Sequence, residues 1–215
     1  MSSLIQNPYQ VTLTSKLVQK RFEGATTHLL LQDTLLPDYD ALSLAHERVE
    51  LSTHRLIRVY SSNSQLYHVV EGRFREETAT LQLHPEDRLL TQRDVTLRLL
   101  LFHAFAYYYN RTPFAFSWSA ERPSERLFQI TGHHSRSEAE EMVRFLIPRL
   151  RQIAQKGLQI RTSPTPPYTT AIFGLYSSPW LGPHLTSTAE LAVWSLRLAA
   201  HQGDRLLFSY QLFDA

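Results

Sequence analysis

The chain contains no cysteine, which excludes disulfides, thiolate metal sites and cysteine nucleophiles. Lysine is almost as scarce: Lys16, Lys20 and Lys156 stand against 19 arginines. Only 7 glycines occur in 215 residues, and they form neither a phosphate-cradling loop nor a Gly-x-Ser-x-Gly elbow. No apolar run reaches the ~18 residues of a membrane-spanning helix, because Arg98 and His103 interrupt the nearest approach, from Thr96. The amino-terminal MSSLIQNPYQ lacks the charged-then-apolar order of a signal peptide. These absences lead to the expectation of a soluble, intracellular protein without a membrane partner. Metal chemistry is not expected either. There is no His-Glu-x-x-His helix, and the adjacent His133 and His134 would diverge on a strand or at a helix start. With no catalytic signature and no cofactor implied, the expectation is a protein that is not an enzyme.

What is present describes a folded chain, 43% hydrophobic and 20% charged, with a formal net charge of only +2. No bulk field announces a polyanionic partner. The kind of positive charge is more informative, because arginine is a planar, forked donor suited to phosphates, carboxylates and aromatic faces. A genome rich in G and C enriches arginine as well, so this bias does not decide the partner alone.

The pattern of elements predicts an α+β fold built on antiparallel strands, with helices on one face of a curved sheet. Strand-like runs occur at YQVTLTSKLV, THLLLQD and TATLQLHP. LIRVYSS and QLYHVVEGRFR read as a hairpin through a Ser-rich turn, and FAFSWS with RLFQITG as a second one. A short helix is expected at ALSLAHERVE. The nearly all-apolar DVTLRLLLFHAFAYYYN reads as a buried helix capped by Asp94, with YYYN passing into a strand. Residues 135–156 give the clearest helix, with a Ser135/Glu138 capping box, an apolar stripe, an internal Pro148 and Gly157 as the stop. A Pro-rich connector follows, then a strand at AIFGLY, a helix over LAVWSLRLAAH capped by Ser187 and Glu190, and a final strand at RLLFSYQLF. Three segments result: a strand-rich first half (1–93), a second half with a hairpin and a long helix (94–157), and a C-terminal extension (158–215).

The aromatic residues are the best functional lead. If FAFSWS is a strand, Phe114, Phe116 and Trp118 share a face, flanked by Arg111 and Arg122. That face is either core or a platform for stacking bases. The segments around Tyr60 and Phe116 also echo each other: aromatic strand, Ser-rich turn, second strand, then Gly72 or Gly132.

In this order the chain resembles the TATA-box-binding-protein family. Phe116-Ser117-Trp118-Ser119, then Phe128-Gln129-Ile130-Thr131-Gly132, then the helix from Ser135 match one repeat of that family. Tyr60-Ser61-Ser62 and Val69-Val70-Glu71-Gly72 are similar to the other, and Leu4-Ile5-Gln6-Asn7 to its opening strand. The resemblance, to this family or a divergent relative, viral ones included, implies a saddle of two pseudo-repeated halves. The saddle would hold DNA by its minor groove, as a transcription initiation factor does. It makes Tyr60 and Phe116 candidate wedges, Asn7 a base-edge contact and Thr131 a groove-facing hydroxyl. The family's Gly-Lys turns and lysines are missing here, so Arg55, Arg58, Arg73 and Arg111 would serve the phosphates. Residues beyond Gly157 have no counterpart. DNA is therefore the expected partner, and proteins are further partners through the Pro-rich and aromatic surface. The alternative is an assembly subunit acting by protein contacts alone.

Overall fold

The computed structural model describes residues 6–40, 42, 44, 47–109, 115–122, 125–132, 135–165, 167–175, 177–179, 182–191 and 194–213. Along 115–122 and at 125 only the Ser117 side chain belongs to that description. The fold is α+β with antiparallel strands throughout, and strand predominates. Two compact units divide at Gln92/Arg93.

The first unit holds β1 (Thr12–Glu23), β2 (Thr26–Leu31), β3 (Val49–Leu51), β4 (His54–Ser62), β5 (Gln65–Glu71) and β6 (Thr78–Leu83). The expected antiparallel strands are present, and in this unit they close on themselves. The strands form a closed barrel in the order β1-β2-β5-β4-β3-β6. The cause lies in β1. Its residues Thr12–Lys16 pair with β6, whereas Leu17–Glu23 pair with β2, and a bulge between Leu17 and Gln19 marks the change of partner. A bulge bends its strand and increases the local twist, so one long strand can serve both sides of the closure.

Leu29, Leu51, Val59, Val70, Ala79 and Leu81 fill the barrel and are fully buried. Each large aliphatic among them contributes roughly 1.5–3 kcal/mol by leaving water. His68 shares this interior, opposite Leu29 and Val59, with Nε2 2.8 Å from Thr34 Oγ1. Burial lowers its pKa to about 4, so the ring is neutral near pH 7.

Two ion pairs tie the start of the first helix, α1 (Pro85–Tyr108), to this unit. Arg88 lies 3.0 Å from the Glu47 carboxylate and donates to the Leu35 carbonyl at 2.6 Å. The Tyr39 hydroxyl donates to the same carboxylate at 2.8 Å. Burial raises the Glu47 pKa, opposed by the attraction of Arg88. Nearer the surface, Asp87 accepts from Arg48 Nε and Nη2 at 2.7 and 2.9 Å.

The helix corrects the expected start at Asp94. It begins at Pro85, which needs no backbone donor in a first turn, and Glu86 and Asp87 complement the positive end. Asp94 is instead a buried carboxylate inside the helix, 3.0 Å from Arg98 one turn later. It also accepts the Tyr210 hydroxyl at 2.7 Å. The helix continues to Tyr108, where a strand was expected, because burial on nearly all sides suits the unbroken apolar run to a helix.

The second unit holds β7 (Ala115–Arg122), β8 (Glu125–Thr131), α2 (Arg136–Gln155), β9 (Ile160–Thr162), β10 (Thr169–Ile172), β11 (Ser178–Pro179), β12 (Trp194–Gln202) and β13 (Arg205–Leu212). They make a four-stranded sheet, β12-β13-β8-β7, and a three-stranded one, β11-β10-β9. Phe105 of α1 packs edge-on against Phe128 and Phe208, whose rings stack at 4.9 Å. The α2 helix is capped as expected by the Ser135/Glu138 box, and its stop, Gly157, has φ +61°. The hairpins that echo each other in sequence, β4–β5 and β7–β8, enter different sheets, one closed and one four-stranded.

A second correction concerns residues 187–202. The Ser187/Glu190 box forms, but it caps only a 3-10 turn over Thr188–Glu190. The run expected as helix then becomes β12, paired along its length with β13. Pairing with a long buried neighbour overrides the local capping signal. The short helix expected at ALSLAHERVE lies partly outside the described residues, and its end, Val49–Glu50, belongs to β3. The strand expected at AIFGLY starts earlier and stops at Ile172. Among the described residues no helix is long and apolar enough to cross a membrane.

Candidate nucleic-acid interface

The β4–β5 hairpin turns through Asn63 and Ser64, both with positive φ, at 50° and 61°. A two-residue turn of this kind fixes the register of its strands. Counting outward from it, Ser62 faces Gln65, Ser61 faces Leu66, and Tyr60 faces Tyr67. The two tyrosine rings stack with centroids 5.5 Å apart and planes 16° from parallel. The Arg58 guanidinium lies over the Tyr60 ring, 5.1 Å from its centroid.

The Tyr60 ring is anchored at its other end. Its hydroxyl is 2.9 Å from His28 Nδ1 on β2, and His28 Nε2 is 2.9 Å from the Glu23 carboxylate on β1. A carboxylate only accepts, so Glu23 holds the proton on Nε2. In the neutral imidazole Nδ1 then keeps its lone pair and accepts from the Tyr60 hydroxyl. This chain fixes the orientation of the ring across three strands. The Tyr67 hydroxyl donates to Gln65 Oε1 at 3.1 Å and, more weakly, to Gln19 Oε1 at 3.4 Å.

Arg55 and Arg58 are exposed on β4, and neither has an ion-pair partner among the described residues. Arg21, beside the anchor, is instead paired with Glu23 at 3.2 Å. The Arg58 guanidinium beside a stacked ring pair, with Arg55 further along the same strand, suits a ligand that carries both anionic groups and flat rings.

Of the residues expected at the site, the structure thus brings Arg55, Arg58 and Tyr60 together on one strand. Asn7 is exposed and closes a local turn, its Oδ1 accepting from the Tyr9 amide at 3.2 Å. Thr131 is exposed at the end of β8, opposite Ala115 and Arg205. Arg73 lies over the exposed Phe22 ring at 6.0 Å. Arg111, Phe114 and the His133–His134 pair lie outside the described residues, as do the side chains of Phe116 and Trp118. The register sets Phe116 opposite Ile130 and Trp118 opposite Phe128, both buried.

Tyr67, His28 and Glu23 were missed from the sequence. Tyr67 was within reach, because it mirrors Tyr60 about the Asn63-Ser64 turn. His28 and Glu23 reach the site through the β2–β5 and β1–β2 pairings, which no local pattern announces. Among the described residues no three His, Asp or Glu side chains are grouped to hold a metal ion. No protein-family model matches the chain, and no curated protein matches its sequence.

Proposed function

We propose that the protein is a non-enzymatic nucleic-acid-binding protein and that the outer β4–β5 face of its barrel is a contact surface. The observation that carries this reading is the Arg58–Tyr60–Tyr67 stack, whose guanidinium has no carboxylate partner among the described residues. Guanidinium groups meet phosphates, rings meet bases, and small antiparallel barrels present such groups on their strands. Stacking tolerates any base, so the expected binding is weakly sequence-selective and sensitive to salt.

Two forms of the ligand fit. The likeness to the TATA-box-binding-protein family implies a saddle and duplex DNA entered from the minor groove, with Tyr60 and Phe116 as wedges. A ring held in one orientation by a guanidinium, a neighbouring ring and a histidine suits a fixed platform for single strands better than a wedge, so single strands are the favoured form. Competition between duplex and single-stranded oligonucleotides separates the two.

The test is retention on labelled oligonucleotides at low salt, for wild type and for Tyr60→Ala and Arg58→Gln. Tyr60→Ala is expected to weaken binding by about 1–3 kcal/mol. Arg58→Gln should lower the salt slope by about one. Failure of the wild-type protein to bind any duplex or single strand at low salt would refute the proposal.

A second reading, an assembly subunit working by protein contacts, draws on a groove of about 470 Å³ along β1. Its walls include Lys16–Lys20 and Glu76–Thr78. Val18, 63% exposed in that groove, is apolar surface that a partner would cover.

A further inference from the structure

The second unit carries an arrangement of the same kind, formed by different elements. Tyr107, near the end of α1, is 60% exposed, and Phe145 of α2 is 40% exposed. Their rings lie 6.1 Å apart and within 5° of parallel. The Arg149 guanidinium sits 5.0 Å from the Tyr107 centroid. Phe145 and Arg149 are one helical turn apart, so both rise from one side of α2. Tyr108 packs edge-on against Phe145 at 5.6 Å. This is again an arginine over a tyrosine that stacks on a second ring, as with Arg58, Tyr60 and Tyr67.

The surrounding charge selects the partner. From Met142 to its cap at Lys156 the helix carries Arg144, Arg149, Arg151 and Lys156 and no acidic residue. Glu141 and Glu138, one and two turns before Phe145, add to burial in raising the pKa of Tyr108, so the cationic side of the patch is the Arg149 side. Arg149 donates to Gln152 Oε1 at 3.0 Å, and neither it nor Arg151 pairs with a carboxylate among the described residues. Large rings left in water mark a contact surface. Unpaired cations beside them favour an anionic polymer with flat rings over an apolar protein face.

We infer that the Tyr107–Phe145–Arg149 patch is a second binding site for single-stranded nucleic acid, independent of the barrel face. The inference rests on the proposed function and extends it to a protein with two contact surfaces for one class of polymer.

The experiment is an anisotropy titration of labelled single-stranded oligothymidylates of increasing length at low salt. Wild type, Tyr107→Ala, Tyr107→Phe, Arg149→Gln and Tyr60→Ala are compared, and the mass of each is followed by light scattering. Tyr107→Ala should weaken binding roughly 5- to 150-fold, the range for losing one stacked base. Tyr107→Phe keeps the ring and should stay within about twofold of wild type, which shows that the ring and not the fold is lost. Arg149→Gln should reduce the salt slope by about one. If Tyr60→Ala weakens binding while Tyr107→Ala and Arg149→Gln do not, this inference is overturned and the barrel site stands. If only Tyr107→Ala weakens it, the second site stands and the barrel site falls. If Tyr107→Ala changes the mass of the particle but not its affinity for DNA, the patch is a protein contact and the inference fails.

Discussion

Lowering the pH from neutral should loosen the six-stranded barrel through His68. The ring is buried against Leu29 and Val59, and that burial lowers its pKa from 6.5 to about 4. Above pH 6.5 neither the folded nor the unfolded chain holds the extra proton, so the contribution of neutral His68 is fully present. Between 6.5 and about 4 the unfolded chain binds the proton and the barrel does not, so stability falls with pH. Below about 4 both states are protonated, and this loss stops growing. At about 1.4 kcal/mol per pH unit, roughly 2 kcal/mol is gone by about pH 5 and about 3 kcal/mol by the end of the window. That is a large share of the ~5–15 kcal/mol that holds a typical domain. No tryptophan lies in the barrel to report the change, because Trp118, Trp180 and Trp194 all belong to the second unit. Amide hydrogen exchange in β2 and β5 reports it directly. His68→Gln does not titrate, and its side chain remains polar towards Thr34. Relative to this variant, the wild-type barrel should lose roughly 2 kcal/mol of protection between about pH 7 and pH 5. Parallel loss in the two proteins would refute the reasoning and place the acid sensitivity on other groups.

Glu47→Gln should destabilise the first unit by about 3–5 kcal/mol, because it leaves the Arg88 guanidinium buried without its counter-charge. A urea titration read on barrel amides measures this, and a loss under about 1 kcal/mol would show that Arg88 finds another anion. Ser64→Gly should stabilise the barrel by about 1 kcal/mol, since Ser64 holds φ 61° in a two-residue turn where glycine carries no Cβ strain. The midpoint of the same titration should rise, and an unchanged midpoint would mean that the Ser64 side chain offsets its own strain.

Local signals were legible wherever a segment's neighbours in space were also its neighbours in sequence. The β4–β5 hairpin and the capped α2 helix are of this kind, because turn chemistry and capping act within a few residues. Asp94 looked like a cap because a carboxylate before an apolar run usually is one. Its true partners, Arg98 and Tyr210, include one from the far end of the chain. The 187–202 segment misled for the same reason: its cap is real, but the strand that claims the following residues, β13, is known only from the fold. Barrel closure was the least legible feature, since it depends on β1 changing partners at one bulge. The candidate site divides along this line too. Arg55, Arg58 and Tyr60 were visible on one strand, whereas the Glu23–His28 anchor arrives through two strand pairings.

The geometry of the stack itself depends on an irregularity in β4. Strict alternation would put residues 56, 58 and 60 on one face, so that Leu56 faced solvent with Arg58 and Tyr60. The register instead shifts between Leu56 and Arg58. Leu56 stands opposite fully buried Val70, and Val59 stands opposite buried His68, so both share the inner face. Arg58 and Tyr60 are left together on the outer face, one residue beyond the bulge. Ile57, 48% exposed, is the extra residue that makes this possible. An exposed isoleucine on a strand is therefore explained without assigning it a contact: it lets β4 supply the core at Leu56 and still aim a guanidinium at a tyrosine ring. Removing Ile57 would force a choice between these two tasks, because a one-residue slip sends every side chain beyond it to the opposite face.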